Sequence, residues 1–391
     1  MYLITNGRIV TENEILEGYD LLIEDDSIKE IKKQGRIRSN YFKEVIDAKN
    51  GYVAPGFIDI HSDYVETMAA PRPTSIMDFS ISLREEEKIL INQGITTMFH
   101  SITMDENQLK NVPIRNPENV REMINAINVL HKNKPLIRHN FHARIEIDNV
   151  NQIDNIKKYI KDGKVNLISF MDHTPGQGQY RSLEVYRKTL RGYRHISDEE
   201  IETIIDSRET KEKITDETIK EIAALAMENN ISIASHDDDS VEKLEVVKNY
   251  GASISEFPIT LDVAKSAKKM GMYTIAGAPN VLLGGSHSGN LCAAEGIKNN
   301  YIDILCSDYY PAAMLHAVFL LNEKHGLDIN KMFNLVTINP ARAVNMDKII
   351  GSIEEGKKAD IIIIEKLDDQ FPVITSVFVD GKLTSRTNYC I

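Results

Sequence analysis

Eight short apolar runs, each closing in polar residues, constrain this chain more than any other feature of its sequence. They are "GFIDIHSD" (56–63), "ITTMFHSIT", "IRHNFHARIEI", "VNLISFMDH", "ISIASHDDD", "ASISEFP", "YTIAGAPN" and "IDILCSD" (302–308). Most are separated by stretches with apolar residues every three or four positions, such as "REEEKILINQG", where Gly94 reads as a C-terminal cap, and "TDETIKEIAALAMENN". Runs of four to eight apolar residues alternating with amphipathic helices build parallel strands covered by helices. Eight such units predict an α/β fold closed into a TIM-like (β/α)8 barrel. The chain is large enough for this, with 391 residues of which 42% are hydrophobic.

The two ends of the chain follow another rhythm. "MYLITNGRIV", "DLLIEDDSIKEI" and "VIDAKNGYVAPG" at the start, and "GSIEEGKKADIIIIE" and "PVITSVFVDGKL" at the end, read as strand, turn, strand. Asn6-Gly7 and Asp25-Asp26 carry hairpin chemistry. These segments are expected to pair into a small β-sandwich domain made of residues 1–54 and 345–391, leaving 55–344 to the barrel. One polar stretch, 174–216, is too long for an ordinary connection and reads as a lid inserted after a strand. The run Arg84-Glu85-Glu86-Glu87 reads as the solvated start of a helix.

Composition narrows the function. A formal net charge of −12 argues against an electrostatic nucleic-acid binder, which needs a basic face. Cys292, Cys306 and Cys390 show no paired spacing, so neither a disulfide framework nor a thiolate zinc site is expected. The N-terminus lacks a basic segment followed by an apolar core, and no apolar run approaches membrane-spanning length. A reducing cytoplasm is the expected location, and a homodimer the default assembly for a barrel of this size.

Barrel chemistry sits at the C-terminal ends of the strands. Those ends hold His61 with Asp63, His100, His142 or Glu146, His173, His236 with Asp237, and Asp308. Along a strand alternate side chains share a face, so His61 and Asp63 leave together. A single strand end of this kind could be a half-exposed pair satisfied by hydrogen bonds. His131, His195, His316 and His325, away from strand ends, belong with such ordinary histidines. Repetition around one rim is different, because unpaired buried carboxylates are costly and a divalent cation removes the cost. Imidazole nitrogen with carboxylate oxygen suits zinc, manganese or iron. Two such ions with a bridging carboxylate would make hydroxide available near neutral pH.

With these residues in view, the chain resembles the amidohydrolase superfamily in "VAPGFIDIHSD", "INPARAVN" and "GSIEEGKKADIIIIE". His61-x-Asp63 stands where most members carry His-x-His. That departure, with "HSDYVE", "PRP" (71–73), "FMDHTPGQGQYR", "SHDDD", "GGSHSGN" and "CSDYYPAAML", is similar to the PhnM family of carbon–phosphorus lyase pathways, ribose 1-methylphosphonate 5-triphosphate diphosphatases. The resemblance implies a hydrolase with two divalent cations, zinc first, that releases pyrophosphate from a phosphorylated ribose. It implies His61 and Asp63 on one metal, His173 and His236 on the second, and Glu146 as the bridge, although His142 on the same strand competes for that place. Asp308 would ligate a metal and accept the proton of the attacking water. Arg72, Arg144, Ser286, His287 and Ser288 become candidate donors to the phosphates, His142 and Tyr309 candidate substrate contacts. A plain Gly-rich turn would explain "GGSHSGN" equally well, and Arg72 could simply anchor its own loop; Arg181 and Arg187 in the insertion are weaker candidates. The rival chemistry is C–N bond hydrolysis on the same metal centre, as in a deacetylase or cyclic amidase. A non-catalytic barrel would be expected to lack several of these ligands.

Overall fold

The computed structural model describes residues 1–391 apart from 39–40, 73, 105–112, 177, 179–182, 194–196, 286–289 and 390–391. Among the described residues sixteen strands form two sheets. The strands near the termini are β1 (Tyr2–Val10), β2 (Ile15–Glu24), β3 (Ser27–Lys33), β4 (Glu44–Asp47) and β5 (Tyr52–Pro55), completed by β14 (Ile361–Lys366), β15 (Pro372–Val379) and β16 (Lys382–Arg386). Between them come β6 (Phe57–Ser62), β7 (Ile95–Met104), β8 (Arg138–Glu146), β9 (Leu167–Met171), β10 (Ser232–His236), β11 (Ile254–Glu256), β12 (Tyr273–Gly277) and β13 (Ile304–Cys306).

β6 to β13 lie side by side in chain order, all parallel, and a bridge between Ser62 and Asp308 joins the last to the first. This is the expected barrel. Its interior holds Ile58, Ile60, Phe99, Leu167, Ala234, Ile254, Ile275, Ile304 and Cys306, drawn from every strand except β8. β8 instead turns His142 inward, where Ser101 and Ser169 hydrogen-bond its two ring nitrogens at 2.9 and 3.0 Å. The helices form the outer ring. Helix Phe79–Asn92 starts at Asp78, whose side chain accepts the Ile81 N–H, and stops at Gly94, whose φ of +81° suits glycine.

β14 pairs antiparallel with β5, so the chain ends meet in one sheet ordered β16-β15-β14-β5-β1-β2-β3, with β4 alongside the first half of β1. The sheet folds over itself: the Tyr2 and Phe378 rings, on strands with two others between them in that order, have centroids 5.2 Å apart. Ile4, Leu21, Ile23, Ile361 and Ile363 fill the space between the faces. Asp25-Asp26 makes the turn between β2 and β3. Asn6-Gly7 does not turn the chain; Asn6 takes a φ of +53° at an irregularity within β1 and the strand continues.

Two further expectations are corrected. Of the run Arg84–Glu87, Glu86 and Glu87 are buried, because they lie on the helix face that packs on the barrel wall. His100 is not on the rim, because β7 continues four residues beyond it to Met104. It faces the helix layer, with its Nε2 at 2.8 Å from His139 Nδ1, and His139 Nε2 in turn lies 3.1 Å from Glu87. The stretch between β9 and helix Asp216–Glu228 contains helices Leu183–Tyr193 and Asp198–Glu209. Arg187 pairs with Glu202 within it, at 2.7 and 2.9 Å, and Arg181 lies outside the described residues.

Arg138, at the base of β8, ties the barrel to the terminal sheet through Asp360 and Asp380. Asp360 is 3% exposed, so removing its partner strands a buried charge. Arg138→Met should cost roughly 3 kcal/mol of stability. A denaturant titration should show the midpoint falling, with metal binding by the remaining folded protein unchanged.

Candidate metal centre and active site

The rim is assembled by the seam between first and last strands. Asp59 Oδ1 accepts the backbone N–H of His61 at 3.3 Å and of Ser307 at 3.1 Å. Asp308 N–H donates to the His61 carbonyl, Asp63 N–H donates to the Asp308 carbonyl, both at 3.1 Å, and Ser62 Oγ donates to that same carbonyl at 2.7 Å. His61, Asp63 and Asp308 are thereby held at one place by backbone contacts.

The backbone is bent where the other side chains are presented. Asp237, Phe257 and Asp308, just past the ends of β10, β11 and β13, have φ of +52°, +54° and +56°. This left-handed geometry is unfavourable for residues other than glycine, most of all for a bulky one, and such strain concentrates at functional sites. The turn at 257 sets the Phe257 ring against both His61 (4.9 Å) and His236 (5.1 Å).

Two groups of nitrogen and oxygen donors result: His61, His142 and Glu256, and His173, His236 and Asp237, each with ligand atoms within 4.8 Å of one another. In the first, Glu256 Oε1 is 3.0 Å from His61 Nδ1 and 3.9 Å from His142 Nε2. In the second, Asp237 Oδ2 is 3.0 Å from His236 Nδ1 and 3.6 Å from His173 Nε2, while Glu146 Oε1 is 2.5 Å from His173 Nδ1. The groups are adjacent, with 5.3 Å between the His61 and His236 ring centroids. Arg144 Nη2 approaches His236 Nε2 at 3.3 Å, and Arg208, from helix Asp198–Glu209, donates to the His173 carbonyl at 3.4 Å.

Burial and neighbouring charge set the protonation. Burial, with Arg144 and His236 nearby, holds the His61 imidazole neutral, far below its ordinary pKa, and burial brings His142 down to about 3. Both are neutral, and at His61 a nitrogen lone pair is free to ligate. His173 goes the other way: burial opposes its charge, but Glu146 and Asp237 overcome that and lift it to about 9. His236 and His173 outweigh burial to hold Asp237 well below the usual carboxylate range. Burial, then Asp63, raises Asp308 to about 7. Two carboxylates facing an imidazole attract positive charge.

The residues fit divalent cations. Glu256 Oε2 is buried with no hydrogen-bond partner among the described residues, and Asp237 Oδ2 and His236 Nδ1, though 3.0 Å apart, form no directed hydrogen bond, a costly arrangement unless a cation meets them. The donors are borderline nitrogen and hard oxygen, without thiolate.

Of the residues expected from sequence, His61, His142, His173 and His236 fall in the two donor groups, Glu146 and Arg144 touch them through His173 and His236, and Asp63 and Asp308 join His61 through backbone bonds but belong to neither group. Arg72 lies in an exposed turn where its carbonyl accepts the Ser75 N–H, and Tyr309 is 46% exposed. Ser286, His287 and Ser288 lie outside the described residues. Glu256 was missed because it ends a three-residue strand that carries no histidine. Asp237 was read at its strand end beside His236 but given no metal role, and Arg208 was missed, since nothing in its helix marks it.

The amidohydrolase family profile matches residues 52–384. The chain belongs to the amidohydrolase family, and it is a hydrolase. Over 385 residues it is 31% identical to the alpha-D-ribose 1-methylphosphonate 5-triphosphate diphosphatase of Escherichia coli (strain K12), covering 97% of this chain and 99% of that one. Identity to the imidazolonepropionase of Picrophilus torridus is 23% over 401 residues, covering 93% and 91%. N-acetylglucosamine-6-phosphate deacetylase from Pasteurella multocida shares the fold, with a TM-score of 0.65 at 12% identity over 97% and 98% of the two chains.

Glu256→Gln and Asp237→Asn keep size while removing the carboxylate charge. Each should weaken divalent-metal affinity by more than the roughly 10- to 100-fold typical of changes behind a ligand. Elemental analysis after dialysis against a graded chelator checks this; wild-type metal content in either variant would remove that residue from the centre.

Proposed function

We propose that this protein hydrolyses the α–β phosphoric anhydride of a ribose 5-triphosphate bearing a phosphonate at the anomeric carbon, releasing pyrophosphate. The observation that carries the reading is the similarity along both whole chains to the Escherichia coli diphosphatase, together with arginines at the metal-binding groups. His61 and Asp63 would hold one divalent cation and His173 and His236 a second, with Glu146 and Asp308 between them and Asp237 and Glu256 as further carboxylates. Zinc is the first choice, and the oxygen-rich set also accommodates manganese or iron. When bound, the ions supply a water acidic enough to ionise near neutral pH and positive charge beside the phosphoryl oxygens.

The chain's own groups do the rest. Asp308, with burial and Asp63 bringing it close to neutrality, accepts a proton from the attacking water. Arg144 is braced by Met171 and His236, so its charge is fixed before substrate arrives. The neutral imidazole of His61 keeps a nitrogen lone pair for ligation, while His142 is neutral with both ring nitrogens engaged by Ser101 and Ser169. From the 174–216 insertion Arg208 reaches the His173 carbonyl, and Lys211–Asp148 and Lys213–Asp172 contacts at 2.8 and 3.5 Å tie the insertion's end to the barrel.

Metal-loaded protein given alpha-D-ribose 1-methylphosphonate 5-triphosphate should release pyrophosphate, and N-acylated amines should be left intact. Cleavage of the amide without pyrophosphate release would replace this reading with C–N hydrolysis. Asp308→Asn should lower kcat by about 10²- to 10⁴-fold while the protein retains metal, because the proton acceptor is lost; near-normal turnover would contradict its role.

A further inference from the structure

Arg115 ends the short turn Pro113–Arg115 that follows β7, and its Nε lies 3.0 and 2.8 Å from the two oxygens of Glu66. Glu66 stands three residues after Asp63, on helix Tyr64–Ala69, so this anchor grows directly from the strand that presents His61. An arginine held only to brace a helix commonly turns its planar fork side-on to the carboxylate. Here one N–H serves both oxygens, and neither terminal nitrogen has a partner among the described residues. The side chain is 22% exposed, so these nitrogens are within reach of a ligand.

Their surroundings locate them. Burial works against the Arg115 charge, but Glu66, Asp63 and Glu146 together more than offset it. Glu66 in turn feels Asp63 and Arg144. Its contact with Glu66 ties Arg115 to the helix that leaves β6 just after Asp63, at the end of the barrel that carries the donor groups. Among the described residues, Arg144 is engaged with His236 and Met171, Arg208 with the His173 carbonyl, and Lys243 with the carbonyls of His236 and Asp237 at 2.8 and 3.1 Å.

We propose that Arg115, fixed through Nε by Glu66, receives the pyrophosphate portion of the substrate on its two terminal amino groups and so sets the preference for a polyphosphate chain. The inference rests on the diphosphatase reading above. A guanidinium offers five N–H donors, and four remain once Nε is spent, enough to span oxygens of two phosphoryl groups. Glu66 is the positioning residue. It holds the fork in place before binding, so less rotamer freedom is lost when the anion arrives.

Inorganic pyrophosphate is the probe, titrated calorimetrically into metal-loaded protein, with inorganic phosphate in a parallel arm. Arg115→Met should weaken pyrophosphate binding roughly 10- to 100-fold, with metal content unchanged and much less effect on phosphate. Arg115→Lys keeps the charge and loses the fork, so it should recover only part of the affinity. Glu66→Gln should give a smaller loss that grows with added salt. Wild-type pyrophosphate affinity in Arg115→Met or Arg115→Lys, or equal losses for phosphate and pyrophosphate, would overturn the assignment. Arg115→Lys keeps the test open if the methionine variant does not fold. Should the ribosyl triphosphate prove inert while pyrophosphate binding still depends on Arg115, the diphosphatase reading fails alone and the anion site stands.

Discussion

The contact on which the site depends is the seam between β6 and β13. A barrel can be closed in many ways, but here closure runs through the residues that carry the chemistry. Asp59 grips the backbone of both strands from behind, and the Asp308 carbonyl takes hydrogen bonds from Asp63 and Ser62 in front. The donors of the first strand and the carboxylate of the last are thus positioned by main-chain geometry, which is stiffer than any pair of side chains. The interior beneath, Ile58, Ile60, Ile304 and Cys306, keeps water from competing for those bonds.

The second constraint is charge. Asp63, Glu146, Asp237, Glu256 and Asp308 gather at one rim, and without compensation each further buried carboxylate raises the cost of ionising the rest. Asp308 shows this, since burial and Asp63 push it up to about 7. His173 shows the response, rising to about 9 against the effect of burial because Glu146 and Asp237 face it. The imidazoles away from this acid pair, His61 and His142, are held neutral instead. One rim therefore contains protonated and neutral histidines side by side. Burial outweighs the single Glu256 carboxylate at His61 and His142, whereas the two carboxylates at His173 outweigh burial.

How much of this was legible in the sequence depends on which signal each feature leaves. The barrel was legible because burial on both faces of parallel strands produces continuous apolar runs, and strand ends could be read directly for His61, His173, His236 and Asp308. His100 was misplaced because an apolar run gives no sign of where a strand stops, and β7 extends to Met104. Glu86 and Glu87 were read as solvated because charge usually marks an exposed face; their partners, His100 and His139, lie on other elements. Asn6-Gly7 was read as a turn because its left-handed geometry serves a bulge as well as a hairpin. Glu256 left almost no trace, since three strand residues carry too little pattern. Local order was visible; long-range pairing was not.

The misread helix face also explains how the wall behind the site is held. Glu87 accepts the Leu136 N–H at 2.7 Å, pairs with Arg84 at 2.9 Å and meets His139 at 3.1 Å; His139 stacks on His100 with 9° between ring planes. Arg84 reaches on to the Asn133 and Lys134 carbonyls at 2.6 and 3.2 Å. Helix Phe79–Asn92, helix Pro117–Lys132 and strands β7 and β8 are thereby joined by directional bonds where apolar packing alone would let them slide. Burial keeps both histidines neutral, so each ring can donate through one nitrogen and accept through the other. Beyond this wall, β8 turns inward to present His142, Arg144 and Glu146. The polar network in the outer layer and the inward side chains of β8 are two faces of the same strands, and rigidity of the first fixes the positions from which His142, Arg144 and Glu146 are presented.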